Sequence, residues 1–396
     1  LLRNNYPKAY NSLGNVFHEE KNLHEAIFNY KTALALRRDY PEAFFNLGNA
    51  LLDLEEFEEA IEMYKKSLLL RPNYFGVYVN MVFALKNVTI NKADTSLQFN
   101  ILKILERKDI VRPTTISTQA INLLKFDPTL IKLLKLYKEK NSKLPLIEIL
   151  ITLSKIPLLL KLMSSCPLPD LEFENLFKHI RSLVLLSISE LDDNSQILPF
   201  QSALALQCFT NEYVYFEKEH DTKNLQILEK NVKKTLLNGG QPKPQVLLCL
   251  ASFKALHENE WCDLLEINPI IKEVYIRQVV EPRKEKVIKK SILEFKKITN
   301  NISTLVKKQY EERPYPRWVN LGYQQNSEPK KIENLLDIKL YNYDINEVKN
   351  LEILIAGCGT GQQSIETALR FPKSKVLAID LSSSSLAFAI RKTKEM

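Results

Sequence analysis

What most constrains this chain is a recurrence every 34 residues near its start. Tyr10, Phe44 and Tyr78 stand at that interval, as do Leu13, Leu47 and Met81. The same offset joins Gly14 to Gly48, Phe17 to Leu51, Ala26 to Ala60 and Tyr30 to Tyr64. Entry phrases recur too: Arg37-Arg38-Asp39-Tyr40-Pro41, then Arg71-Pro72-Asn73-Tyr74-Phe75, with Leu2-Arg3-Asn4-Asn5-Tyr6-Pro7 reading like the close of an earlier unit. The pattern predicts pairs of short helices. Tyr10 and Phe44 fill the gap between them, and Gly14 and Gly48 let the first helix approach a second whose own small residues are Ala26 and Ala60. Pro72 stops a helix. A unit this small cannot bury its apolar stripe alone, so neighbours must stack into a solenoid.

These residues match the tetratricopeptide repeat (TPR) pattern. The resemblance covers residues 1–88, with two good repeats and a weaker third in which Val82 takes the glycine position. It implies an α-solenoid that takes a protein or peptide on its concave face. Asn15, Asn46, Asn49 and Asn80 fall on the first helices and are the peptide-binding candidates, because amides can bond an extended ligand backbone. The competing reading is a merely polar helix face.

Residues 89–305 show no comparable repeat and are expected to form an α-helical middle domain. Leu123, Leu124, Leu130, Ile131, Leu133, Leu134 and Tyr137 make one apolar stripe, and Val246, Leu247, Leu250, Phe253 and Leu256 another. Breaks fall at Pro145, Pro157, Pro167, Pro169 and Gly239-Gly240-Gln241-Pro242. The apolar run Leu144–Met163 carries Glu148, Lys155 and Lys161, so it reads as buried helices rather than a membrane span. Aromatics gather near Asn211 and Glu212, where a packed helix is expected in preference to a substrate surface. His257 and Glu258 have no second histidine at ligand spacing and read as structural.

Charge is uneven. Residues 283–308 hold nine Lys/Arg and two Asp/Glu, against nine and eleven in residues 1–84. Aromatics are sparse in the basic block and no nucleic-acid motif accompanies it, so a solvated helix face is expected instead of a nucleic-acid surface. The five cysteines are odd in number and lack metal-ligand spacing, which points to free thiols and a reducing cytoplasm.

Chemistry gathers near the end. Of nine glycines, three lie between Gly357 and Gly361, in Leu351-Glu-Ile-Leu-Ile-Ala356-Gly357-Cys358-Gly359-Thr360-Gly361. The run Ile353–Ile355 predicts a buried parallel strand, Gln362–Arg370 a helix, and Lys375–Asp380 a second strand ending in a carboxylate. Strand, glycine turn, helix, strand and acid begin a doubly wound nucleotide-binding sheet. Glycines let a cofactor lie against the backbone, and amides at the helix start can bond its polar groups. Asp380, 23 residues beyond Gly357, is placed to accept from both ribose hydroxyls. A dinucleotide fingerprint would want glycine at 362, which is Gln362.

Glycine at every second residue, with the following Leu381-Ser-Ser-Ser-Ser-Leu-Ala phrase, resembles the class I S-adenosyl-L-methionine (SAM)-dependent methyltransferases, where a Ser-rich cap opens the next helix. Upstream, Gln309-Tyr310-Glu311-Glu312-Arg313-Pro314-Tyr315-Pro316-Arg317-Trp318 predicts an extended path pinned by its aromatics. Helices, this phrase and then a methyltransferase are similar to bacterial TPR–methyltransferase fusions. The resemblance implies a mainly α chain, followed over residues 306–396 by the N-terminal part of an α/β Rossmann-like methyltransferase domain. It implies a SAM-dependent methyltransferase with recruiting TPRs, and a cofactor seat of Ala356, Gly357, Cys358, Gly359, Thr360, Gly361, Asp380 and Leu381. One departure is Ile355, where many members carry an acid two places before the first glycine. With two strands of the family's sheet present, this stretch is expected to hold SAM weakly or not at all, and it carries neither a catalytic residue nor a clue to the methyl acceptor. The alternative is a TPR scaffold with a degenerate nucleotide-binding fold.

Overall fold

The computed structural model describes residues 6–138, 145–191, 194–266, 268–294, 300–312, 314–322 and 350–396. The chain divides into two compact units, the first running to Leu133 and the second from Leu134.

The first unit opens with α1 (Pro7–Glu19), α2 (Leu23–Leu36), α3 (Pro41–Asp53), α4 (Phe57–Leu70) and α5 (Phe75–Asn87). Proline at the first position of α1 and α3 presets the helical φ where the lost N–H has no partner anyway. Within each pair three residues turn the chain, and Lys21 and Glu55 take the same left-handed conformation, φ 62° and 63°. Their successors close both helices alike: Asn22 N–H donates to Phe17 O at 2.8 Å and Glu56 N–H to Leu51 O at 2.9 Å. The close approach at Gly14 and Gly48 is real, but its partner is the tyrosine of the second helix. A Cβ on either glycine would lie 2.5 Å from the ring of Tyr30 or Tyr64, both buried. Ala26 and Ala60 are fully buried nearby in the chain. Arg37 over Tyr40, at 5.0 Å, and Arg71 over Tyr74, at 4.6 Å, repeat at the junctions.

The repeat geometry stops after α5. Val88 is extended, and α6 (Thr95–Glu106) starts after a longer connection, capped by Asp94 on Leu97 N–H. Helix lengths then become irregular with α7 (Ser117–Leu124) and α8 (Pro128–Lys138). The stripe read as one run is two helices. Asp127 interrupts it, its carboxylate accepting from Thr129 and Leu130 N–H, and Ile131 is exposed while Leu130, Leu133 and Leu134 are buried. Tyr137 lies outside the described side chains.

The second unit contains α9 (Leu146–Ser154), α10 (Pro157–Ser165), α11 (Leu171–Leu186), α12 (Leu198–Thr210), α13 (Glu219–Leu237) and α14 (Pro244–Ala251). Then come α15 (Lys272–Tyr275), a π-helical turn at Ile276–Val280, α16 (Glu281–Lys289) and α17 (Asn301–Glu312). Phe173, Phe177 and Phe200 stack along its core at centroid distances of 5.7 and 6.0 Å. Among the described residues no helix is long and apolar enough to cross a membrane.

The unit ends in β1 (Glu352–Ala356), α18 (Gln362–Arg370), β2 (Lys375–Ile379) and α19 (Ser383–Glu395). The two strands pair in parallel, from Glu352 opposite Lys375 to Ala356 opposite Ile379. The molecule is mainly helical, with this small sheet as its described β structure.

Candidate functional site

Two places have the geometry of a site. The first is a polar ladder on the first helices of the repeats. Asn46 donates to Asn15 at 2.9 Å and to Asn11 at 3.1 Å, and Asn80 donates to Asn49 at 2.8 Å. The hydroxyls of Tyr30 and Tyr64 also donate to Asn15 and Asn49, at 2.9 and 3.0 Å. The structure therefore brings all four candidate asparagines into one row, where their amides bond first to one another. Asn11, buried beneath the row, was missed because its periodicity is that of an ordinary helix face. The tyrosines whose rings meet Gly14 and Gly48 orient the asparagines above them.

The second is the glycine turn between β1 and α18. Gly357, Gly359 and Gly361 all have positive φ, 71°, 52° and 83°. A Cβ on Gly357 or Gly359 would meet nothing within 4 Å among the described residues, which leave the turn's outer side open. Gly361 is the opposite case: its Cβ would lie 2.5 Å from Ala389 Cβ. Two glycines thus clear space and the third permits helix contact. The turn is tied to the end of β2, with Gly357 and Cys358 N–H on Ile379 O at 2.9 and 3.1 Å.

Asp380 stands at the carboxyl end of β2. One oxygen accepts from Gly359 N–H at 2.8 Å, the other from Ser382 N–H at 2.9 Å. A carboxylate offers about four acceptor positions, so two protein bonds leave capacity for hydroxyl donors. Ala356 and Leu381 flank the turn and are exposed. Cys358 and Thr360 turn inward, as Gly361 does. Both are buried, burial pushes the Cys358 thiol up, and Thr360 turns its hydroxyl to Pro316 O at 2.9 Å. Ile355 is buried.

The Tyr-Pro-Arg-Trp phrase is anchored here, though not as expected. Its first part, Gln309–Glu312, is the end of α17 and not extended, since Pro314 breaks the helix only afterwards. Tyr310 and Tyr315 are exposed, while Trp318 is the buried anchor. Arg313 lies outside the described residues. Trp318 donates its indole N–H to Thr360 O at 3.0 Å and joins Leu321, Ile365 and Phe388 in a small core.

Serine caps α19 as expected: Ser382 Oγ accepts from Ser385 N–H at 3.1 Å. Glu311 of α17 adds a charge at that helix start, accepting from Ser383 N–H at 2.5 Å and from Ser384 Oγ at 2.8 Å, with Lys289 alongside. Burial alone would raise the Glu311 carboxyl, but Lys289, Ser384 and Ser383 outweigh it and hold its pKa down at about 2. A depressed acid stabilises the fold above its unfolded pKa and stops doing so as pH falls through the folded one. The stability lead of wild type over Glu311→Gln should therefore be full at pH 5 and fade between pH 4.5 and 2, as urea titrations at several pH values will report.

The basic block is partly paired: Arg283 with Asp263, Lys289 with Glu311, and Lys307 with Glu294. His257 Nδ1 lies 2.9 Å from Gln278 O, a structural contact. All five cysteines are free and buried, and no cluster of three metal-ligating side chains occurs among the described residues.

No curated protein matches the chain. Residues 14–54 match a family described as TPR repeat, and residues 41–74 match one described as tetratricopeptide repeat. The paired helices, glycine–tyrosine contacts and left-handed turns found there are the geometry of that sequence pattern, and the N-terminal region of this chain carries tetratricopeptide repeats, a scaffold for protein interaction.

Proposed function

We propose that the protein is a SAM-dependent methyltransferase of the kind found fused to TPR arrays in bacteria, whose repeats recruit a protein substrate or partner. The observation that carries this reading is the turn itself. Two positive-φ glycines face open space among the described residues, and a carboxylate at the end of the next parallel strand accepts from the amide of the second, Gly359. SAM, when bound, supplies an electrophilic methyl group on a sulfonium. Gly357 and Gly359 would let the nucleotide reach the main chain, and Asp380 would accept from its ribose hydroxyls. The start of α18, which has no side-chain cap, presents amides and a partial positive charge to a carboxylate. Leu354 and Leu377, paired across the strands and exposed, give the sheet an apolar face like that of sheets covered on both sides.

Photolabelling with radioactive SAM tests the reading. The full-length protein should incorporate label, and Asp380→Asn in it should require about ten-fold more SAM or worse, the scale of a lost charge-assisted bond. Label that is absent, or indifferent to Asp380→Asn, would overturn it. A second reading, a TPR scaffold with a purely structural βαβ end, draws on one observation: Asp380 and Thr360 already find partners within the protein.

A further inference from the structure

Glu212 breaks a local rule. Helix α12 ends at Thr210 in a Schellman motif: Tyr213 N–H donates to Cys208 O at 2.8 Å and Glu212 N–H to Phe209 O at 3.3 Å. That motif places its next residue in the left-handed region, where glycine is normal. Here glutamate occupies it at φ 57°, followed by Tyr213 at φ 56°. Two successive non-glycine residues in this region persist only where their surroundings hold them.

The Glu212 side chain has a specific partner. Its carboxylate accepts from Arg317 Nε at 2.6 Å, and both side chains are mostly buried. Arg317 also lies 4.6 Å over the Phe209 ring, with Glu285 3.7 Å from its guanidinium. Its chain neighbours on both sides then grip one residue of the glycine turn. Pro316 O accepts from Thr360 Oγ1 at 2.9 Å, and Trp318 Nε1 donates to Thr360 O at 3.0 Å. Thr360 lies between Gly359, whose amide is on Asp380, and Gly361, which touches α19.

The geometry points to Glu212 and Arg317 as positioning residues for the glycine turn: the end of α12 holds Arg317, and Pro316 and Trp318 clamp Thr360, fixing the Gly357–Gly361 backbone. The conformational claim stands on these bonds alone; its consequence for SAM rests on the reading above. The strained glutamate is retained because glycine, easier for the backbone, has no carboxylate. Any ligand that prefers the ordered turn is then coupled to the end of α12, and the coupling is reciprocal.

The test separates this from general stability. Glu212→Gly relieves the backbone while removing the carboxylate, and Thr360→Val removes the hydroxyl that reaches Pro316 while keeping its shape. Native-state amide hydrogen exchange should quicken about ten-fold or more at Gly357–Gly361 in both variants. Helices α9–α11 should exchange as in wild type, and Thr360→Ser should restore slow exchange in the turn. Unchanged exchange at the turn in either of the first two variants overturns the proposal, as does a uniform rise across the second unit. SAM photolabelling of the same proteins keeps the two ideas apart. A turn that loosens in a protein that never takes label retains this inference and removes the methyltransferase reading. A turn that ignores Glu212→Gly in a protein that labels well does the reverse.

Discussion

Gly361→Ala should unfold the second unit at markedly lower denaturant than wild type. Alanine there must hold φ at 83°, and its Cβ would sit 2.5 Å from Ala389 Cβ and 3.2 Å from Ala389 Cα. A flexible side-chain tip would swing aside, but a helix backbone cannot move cheaply. The left-handed conformation costs about 1–2 kcal/mol, and overpacking adds about 1–3 kcal/mol. The sum, about 2–5 kcal/mol, is a large share of a domain's stability. Gly357→Ala is the internal control, because its Cβ meets nothing within 4 Å among the described residues and only the backbone cost applies. Pairing Gly361→Ala with Ala389→Gly should recover the steric part. Equal losses at Gly357 and Gly361 in urea titration would show that the contact with α19 is not what demands glycine.

Arg391→Ala should cost still more, about 3–5 kcal/mol, because it strands the buried Glu285 carboxylate. Arg391 is 3% exposed and reaches Glu285 at 2.9 Å, Glu281 at 3.1 Å and Glu395 at 2.5 Å. The pairs with Glu285 and Glu281 join α16 to α19, and the pair with Glu395 lies within α19. Burial already raises the Glu285 carboxyl against the pull of Arg317 and Arg391, and losing Arg391 raises it further. An acid with a raised folded pKa holds its proton more tightly when folded, so protonation offsets the loss as pH falls. The deficit measured by urea denaturation should be larger at pH 7 than near pH 5. A small deficit with no pH dependence would mean that water, not Arg391, satisfies these carboxylates.

Local order explains what the residues alone made readable. The repeats α1–α4 were legible because their contacts recur at one offset, so each pair tests the other. The glycine turn was legible because positive φ leaves a mark in composition. Serine at the start of α19 was legible for the same reason, as a cap acts within one turn. The asparagine ladder was half legible: the residues were evident, but not that Asn46 and Asn80 would donate to Asn15 and Asn49. The segment ending at Trp318 was misread over Gln309–Glu312, since helix propensity there prevails to Glu312.

The sequence by itself determined the paired helices of the repeats, the β1–turn–α18–β2 order and the nearness of Asp380 to the glycines. Each of these is a matter of short-range spacing. Only the tertiary structure decided that Glu212 meets Arg317 across 105 residues, that Arg391 meets Glu285 across 106, and that Glu311 caps α19 across 72. Such pairs leave no periodic trace: a buried charge is set by which surfaces close around it, and that is settled when helices pack rather than when they form.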